Sequence, residues 1–165
     1  MSDAVLKVEN LKVHFPVKGG LFTKKQVVKA VDGVSFEIYP RETFGLVGES
    51  GCGKSTTGRA IVKLYEPTSG TVYYHGEDVT KIKGSHLAEF RRNVQMIFQD
   101  PYSSLNGRMN VRQLIAEPLI VNKVCKDKKE IEARVDAMME TVGLARRLAG
   151  AYPHELDGGR RQRIG

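Results

Sequence analysis

Two stretches near the N-terminus alternate apolar and polar side chains, which is the pattern of a strand with one buried face. The first covers residues 5 to 15 and the second residues 27 to 38. A third run, Thr71-Val72-Tyr73-Tyr74, follows a turn that contains proline and glycine. The first hundred residues are therefore predicted to be rich in β-structure.

Two mostly apolar runs, residues 43 to 47 and 94 to 98, lack this regular alternation and are predicted to be strands buried on both faces. Residues 56 to 64, after the first run, have the spacing of a helix with Ala60, Ile61 and Leu64 on one side. A charged helix is predicted around residues 87 to 92, before the second run.

From about Val111 the pattern changes to that of helices. Apolar side chains recur at helical spacing at Ile131, Val135, Met138, Met139 and Val142. Lysines and glutamates occupy the opposite side, so this stretch is predicted to be amphipathic. Met138 and Met139 are interpreted as core residues.

Residues 48 to 55 read Gly-Glu-Ser-Gly-Cys-Gly-Lys-Ser and fill every fixed position of the phosphate-binding loop G-x-x-x-x-G-K-[ST]. In such a loop, backbone N–H groups and a helix N-terminus surround triphosphate oxygens. Lysine supplies a charge for the β- and γ-phosphates, and serine supplies a hydroxyl ligand for Mg²⁺. ATP or GTP is therefore the expected ligand. The predicted binding residues are Gly48, Ser50, Gly51, Cys52, Gly53, Lys54, Ser55 and Thr56.

The composition is that of a soluble globular domain, with 165 residues, 41% apolar and 27% charged. No apolar run approaches the 18 residues of a membrane span, and Met-Ser-Asp-Ala does not begin a signal peptide, so a cytoplasmic location is expected. Cys52 and Cys125 form neither a disulfide framework nor a metal motif. The net charge of +7 permits an anionic partner. However, no stacking aromatics interleave with the basic residues, so no nucleic-acid partner is predicted.

Gln99 ends the second buried run and is followed by Asp100 and Pro101. Asp100 could instead be the Mg²⁺-holding carboxylate of a generic phosphate-loop protein. A third motif, in addition to the phosphate loop and the segment that ends in Gln99, favours a functional role for Gln99 over this interpretation of Asp100. Residues 156 to 163, Leu-Asp-Gly-Gly-Arg-Arg-Gln-Arg, resemble the L-S-G-G-Q-x-x-R signature of ATP-binding-cassette (ABC) ATPases, and they lie about 100 residues after Lys54.

Together the three motifs resemble an ABC nucleotide-binding domain over the whole chain. In detail the chain is similar to the second ATPase subunit of oligopeptide, dipeptide and nickel importers. This similarity rests on residues 44 to 57, on Leu-Tyr-Glu-Pro-Thr-Ser-Gly at 64 to 70 and on Gln-Asp-Pro-Tyr-Ser-Ser-Leu-Asn at 99 to 106, with the long loop 18 to 25 in addition.

The resemblance implies an α/β fold: a RecA-like P-loop NTPase core with an antiparallel β subdomain and an ABC-specific helical subdomain, ending before the acidic Mg-binding strand. Residues 1–100 would be the nucleotide-binding core, 101–155 the helical subdomain and 156–165 the signature segment. Gln99 would reach Mg²⁺ and the attacking water, so Gln99 and Lys54 are the implied catalytic residues. Phe15, or else Phe22, would stack on adenine.

The implied partners are membrane permease subunits, which would bind the helical subdomain, and a second, paralogous ATPase. The two ATPases would close head to tail over two ATP molecules. Each site would combine one chain's phosphate loop with the other's signature segment, here Asp157, Gly158 and Gly159. An extracytoplasmic solute-binding protein would take part indirectly. The expected location is the cytoplasmic face of the membrane, and the expected function is ATP-driven uptake of oligopeptides or dipeptides.

The chain departs from the family pattern at three positions. Gly107 stands where proline is usual, Asp157 replaces the signature serine, and Arg160 replaces its glutamine. The acidic strand and the switch histidine lie outside these 165 residues, so the chain alone is expected to be inactive. A non-transport ABC ATPase, of the DNA-repair or chromosome type, and a nucleotide-binding module without hydrolysis are the alternatives.

Overall fold

A computed structural model describes residues 3–17, 26–98 and 105–164. The chain divides into two compact units, residues 1–96 and 97–165. Each unit has its own hydrophobic core. The predicted functional division at residues 100 and 155 stays a prediction.

The first unit is built on an antiparallel sheet of four strands in the order β2-β1-β3-β4. The strands are β1 (Leu6–Val17), β2 (Gln26–Ile38), β3 (Ser69–Tyr74) and β4 (Glu77–Asp78). The two strands predicted from alternation and the third predicted after the turn are therefore confirmed.

An irregularity in β1 keeps its apolar residues on one face. Val8, Leu11 and Val13 are all buried, although strict alternation would put Leu11 on the opposite face from Val8. The register with β2 shifts between Val8 and Leu11, and Asn10 has a φ of +46°. Asparagine tolerates this left-handed conformation better than most residues. Its N–H donates to the Ser35 hydroxyl at 2.8 Å, which satisfies the displaced backbone.

The described residues of the first unit form two helices, α1 (Lys54–Ile61) and α2 (Gly84–Asn93). Ala60 of α1 and Phe90 of α2 join the buried residues of the sheet in one core. Leu64, predicted to face the same side as Ala60, is instead 50% exposed because α1 ends at Ile61. The core includes Val8, Leu11, Val13, Val31, Ala60, Val72, Val79 and Phe90.

The two predicted buried strands are wrong for this chain. Residues 43–47 and 94–98 are irregular, and Val47 and Ile97 are each 88% exposed. A strand buried on both faces needs a hydrogen-bonded neighbour along its length. Among the described residues no strand pairs with either run, so most of their large apolar side chains remain exposed, while Val94 is partly buried against the core of the first unit.

The second unit is helical, as predicted. It contains α3 (Val111–Val121), α4 (Lys128–Thr141), two short 3₁₀ helices (Arg146–Leu148 and Pro153–Glu155) and α5 (Gly158–Gln162). Asn110 and Gln113 form a capping box at the start of α3, and Asp127 caps α4. The core contains Val135 and Met139 of α4.

The two methionines of α4 differ, since Met139 is fully buried and Met138 is 53% exposed. The prediction that both fill the core is therefore right only for Met139, because neighbouring helical positions lie about 100° apart and only one of them faces the core. Within the described ranges, no helix combines the length and the apolarity needed to cross a bilayer.

Candidate phosphate-binding site

The predicted phosphate loop leads directly into α1, and its neighbours require glycine at position 53. A Cβ at Gly53 would lie 2.1 Å from the carbonyl oxygen of Ala30, and the φ of +98° disfavours any other residue. A Cβ at Gly48 would lie 2.6 Å from the Cys52 sulfur, which is the end of a side chain that can change its rotamer. Gly53 thus lets the loop approach β2 closely.

The N-terminus of α1 presents backbone donors. Gly53 is the N-cap residue and offers no side-chain acceptor. The N–H groups of Lys54, Ser55 and Thr56 have no acceptor within the helix, since the first intrahelical bond is from Thr57 N–H to Gly53 O at 2.8 Å. Together with the helix dipole, these groups favour an anion at this position.

The Lys54 ammonium lies across the loop. It donates to the carbonyl oxygens of Gly48 at 2.8 Å and Glu49 at 2.6 Å, and it lies 3.5 Å from the Cys52 sulfur. Its positive charge therefore stands over the same loop whose N–H groups are available. This brings together two features that an oligophosphate requires, a cation and a row of amide donors.

The hydroxyl side chains after Lys54 divide into two kinds. Ser55 is exposed and Thr56 is half-buried. Thr57 is buried, and its Oγ1 donates to Gly53 O at 3.0 Å, which ties the first turn of α1 to its own cap. Thr57 and Ala30 contribute to the loop's shape but were missed from the sequence. A hydroxyl in the first turn of a helix gave a weak signal for Thr57, and Ala30 gave none.

Phe15, the predicted adenine-stacking residue, is 38% exposed near the end of β1. Its ring meets that of Tyr65 edge to face, with centroids 5.5 Å apart and an interplanar angle of 82°. Tyr65 in turn contacts Arg59 of α1. Sequence reasoning missed both Tyr65 and Arg59. The alternative stacking residue, Phe22, lies outside the described residues.

The Gly-Gly segment lies in the second unit, at the start of the short helix α5. Asp157 caps this helix, because its Oδ1 accepts the N–H of Arg160 at 2.8 Å. Its Oδ2 lies 3.4 Å from Nε of Arg160. Asp157 is exposed, Gly158 is half-buried, and Gly159 is exposed. The carboxylate is thus engaged twice by one arginine.

The structure describes one of the two predicted metal ligands. Ser55 lies at the loop, but Gln99 and its rival Asp100 fall outside the described residues. Within the described ranges, no group of three or more His, Cys, Asp or Glu side chains is arranged to hold a metal ion.

Comparison with known proteins decides the family. A sequence model described as ABC transporter matches residues 31–165. The chain belongs to the ABC transporter family. It is 54% identical, over 100% of its length, to the oligopeptide transport ATP-binding protein OppF of Bacillus subtilis (strain 168), of which it covers 52%. It is 51% identical to the dipeptide transport ATP-binding protein DppF of Lactococcus lactis subsp. cremoris (strain MG1363), over 98% of this chain and 51% of that protein.

The fold matches solved cassettes of the same family. A dimeric, post-hydrolysis structure of the ATP-binding cassette MJ0796 bound to ADP and Pi aligns with a TM-score of 0.78 at 26% identity, covering 96% of this chain and 66% of that one. The predicted P-loop NTPase fold of ABC type is thereby confirmed. Proteins of this family bind ATP. The chain spans about half the length of the curated relatives it matches.

Proposed function

We propose that this chain is the ATP-binding part of an importer ATPase that couples ATP binding and hydrolysis to the uptake of oligopeptides or dipeptides. The observation that supports this most strongly is the loop at the start of α1, where the Lys54 ammonium lies across the loop and the first N–H groups of the helix have no acceptor within it. The names of the relatives support an importer over a non-transport ABC ATPase.

The residues present fit an oligophosphate. A Cβ built on Gly51 meets no atom within 4 Å among the described residues, so the outer side of the loop is open. The N–H groups of Lys54, Ser55 and Thr56 would bond phosphate oxygens, with Thr56 at the α-phosphate. The Lys54 ammonium would exchange its carbonyl acceptors for β- and γ-phosphate oxygens. Such donors, fixed before the ligand arrives, can also stabilise charge that develops at the γ-phosphate.

A Mg²⁺ ion would neutralise part of the phosphate charge. Ser55 is the proposed ligand from the loop, and its exposed hydroxyl suits that role. Gln99 is proposed as a second ligand that also orients the attacking water. Phe15 would stack on the base, since part of its ring is open to solvent.

The proposed assembly is that of an importer ATPase at the cytoplasmic face of the membrane. The helical unit would bind permease subunits, and a second, paralogous ATPase would complete two composite sites. A solute-binding protein would act indirectly, through the permease. Nucleic acid is not a proposed partner.

Nucleotide binding is tested by calorimetry with Mg-ATP on the wild type, on Lys54→Ala and on the control Lys129→Ala. Lys129 is exposed in α4, far along the chain from the loop. We expect Lys54→Ala to lose affinity at least about tenfold, because a charge-assisted contact contributes about 1.5–3 kcal/mol. The control should bind as the wild type does. Equal affinity of Lys54→Ala and wild type would contradict the proposed site.

The transport role is tested with the longer protein that contains this chain. It should co-purify with permease subunits, and its Lys54→Ala variant should fail to restore uptake of labelled peptides in cells that lack the importer ATPase. Restoration of uptake by Lys54→Ala at wild-type rate would argue against ATP-driven import through this subunit.

A further inference from the structure

Tyr65 lies between the helix that begins at the phosphate loop and the proposed base-stacking ring. Its backbone N–H donates to the carbonyl oxygen of Arg59 at 3.3 Å. The Arg59 guanidinium lies 5.9 Å from the centroid of the Tyr65 ring, and its NH1 donates to the Tyr65 hydroxyl at 3.4 Å. Arg59 is in the last turn of α1. Both the backbone and the ring of Tyr65 are therefore fastened to α1.

Besides Arg59, Tyr65 contacts Phe15. Its ring meets Tyr65 edge to face, a favoured arrangement of two aromatic rings. Phe15 is opposite Val28 in the β1–β2 ladder, and Val28 is 53% exposed. Since directly paired residues share a face of the sheet, Val28 offers only a small and open support. Within the described parts of the chain, Tyr65 is the aromatic ring that contacts Phe15 and restricts its rotation.

We propose that Tyr65 is a positioning residue for the nucleotide base, which holds the Phe15 ring at a fixed distance from the phosphate loop. Tyr65 connects the Phe15 ring to the phosphate loop, because Tyr65 contacts Arg59 on α1 and α1 begins at Lys54. This inference rests on the proposed function, in which Phe15 stacks on the base. Tyr65 itself is not proposed to touch the nucleotide.

Comparing ATP with inorganic tripolyphosphate separates the two ends of the ligand. Tripolyphosphate has the phosphate chain but no base, so it reports on the loop alone. We expect Tyr65→Leu to weaken Mg-ATP binding about 2- to 10-fold, the range that one aromatic contact contributes. Its affinity for Mg-tripolyphosphate should equal that of the wild type, as measured by calorimetry.

Two further variants test the route through Phe15. Tyr65→Phe retains the ring and loses only the hydroxyl contact to Arg59, so its ATP affinity should stay close to that of the wild type. The double variant Phe15→Leu/Tyr65→Leu should bind ATP no more weakly than Phe15→Leu alone, because Tyr65 acts only through Phe15. If Tyr65→Leu does not fold, Tyr65→Met gives the same comparison with an unbranched and more flexible side chain.

The outcomes are distinct. An unchanged ATP affinity in Tyr65→Leu, an equal loss for ATP and tripolyphosphate, or additive losses in the double variant would each overturn the positioning role. Failure of the wild type to bind either ligand would instead overturn the proposed function.

Discussion

The Lys63 ammonium donates a hydrogen bond to the backbone carbonyl oxygen of Thr80 across 2.7 Å. The side chain of Lys63 is only 5% exposed, and its ammonium also reaches the carbonyl of Ile82 at 3.4 Å and the carboxylate of Glu66 at 3.6 Å. Arg91 of α2 donates to the Lys63 carbonyl at 3.1 Å. The residues just after α1 are thereby joined to the segment between β4 and α2.

Replacing Lys63 should therefore destabilise the first unit. Lys63→Met keeps most of the aliphatic volume but leaves the Thr80 carbonyl without its donor, which costs about 1–3 kcal/mol. Urea unfolding followed by circular dichroism measures the loss. A midpoint equal to that of the wild type would show that the buried ammonium contributes no net stability.

The backbone conformation of Lys63 leads to a second prediction, because it destabilises the fold whereas the ammonium stabilises it. Its φ of +55° lies in the left-handed region, which costs a non-glycine residue roughly 1–2 kcal/mol. Lys63→Gly and Lys63→Ala both remove the ammonium, but only glycine relieves this cost. The glycine variant should therefore be the more stable of the two. A higher urea midpoint for the alanine variant than for the glycine variant would contradict the proposed backbone strain at Lys63.

Asp78 should make the stability of the first unit depend on pH. Its carboxylate accepts hydrogen bonds from the Thr80 hydroxyl and, at 2.9 Å, from the Thr80 N–H, and it pairs with Lys81 at 3.1 Å. The hydroxyl contact is the main cause that holds the pKa of Asp78 below its ordinary value. A lowered folded pKa gives stability that is present above the unfolded pKa of about 4 and is lost as pH falls through the folded value.

Asp78→Asn should consequently lower the urea midpoint at pH 7. The difference in urea midpoint between this variant and the wild type should shrink once the pH falls below about 4, because the wild-type carboxylate is then protonated. The control is Asp3→Asn at an exposed position, which should follow the wild type at each pH. A difference that stays constant from pH 7 to pH 3 would refute the assignment to Asp78.

Cys52 should be protected from alkylation by nucleotide. It is exposed within the phosphate loop, and its sulfur lies 3.5 Å from the Lys54 ammonium. A bound triphosphate would cover this position, so labelling by N-ethylmaleimide should slow when Mg-ATP is added. Cys125, in the helical unit, serves as the internal control, and mass spectrometry resolves the two sites. Equal rates at Cys52 with and without Mg-ATP would contradict this prediction.

Asp157 should weaken the composite site to which this chain contributes its Gly-Gly segment. A carboxylate can only accept hydrogen bonds, and here it is engaged by Arg160. Serine caps a helix about as well as aspartate, so Asp157→Ser with Arg160→Gln should preserve the fold. In the complete pair of ATPase subunits, this double variant should raise the ATPase rate. An unchanged or lower ATPase rate would contradict the prediction that Asp157 weakens the composite site.

Local sequence patterns were sufficient for much of the fold. The alternation of β1 and β2 and the helical period of α3 and α4 depend on which side chains face a core, and that information is local. The phosphate loop was equally readable, because its glycines, lysine and serine have fixed spacing.

Other features depend on contacts between distant residues. Residues 43–47 looked like a buried strand, but pairing requires a neighbour that the local pattern does not contain. The contact of Phe15 with Tyr65 joins positions fifty residues apart in the chain, and neither side chain indicates the other. Aspartate is a common helix-capping residue, so the residue type of Asp157 is consistent with its cap, whereas its second contact with Arg160 depends on the rotamer.

The contact of Gly53 with the Ala30 carbonyl oxygen has a consequence for how this loop changes over evolutionary time. A larger side chain at position 53 would collide with this backbone atom whether or not a ligand is bound. Selection for folding alone would therefore retain this glycine in a descendant that had lost its ligand. Ser55 is exposed, and a substitution there meets no comparable steric barrier. In such a lineage Ser55 should diverge first, while Gly53 persists as a remnant of the ancestral loop.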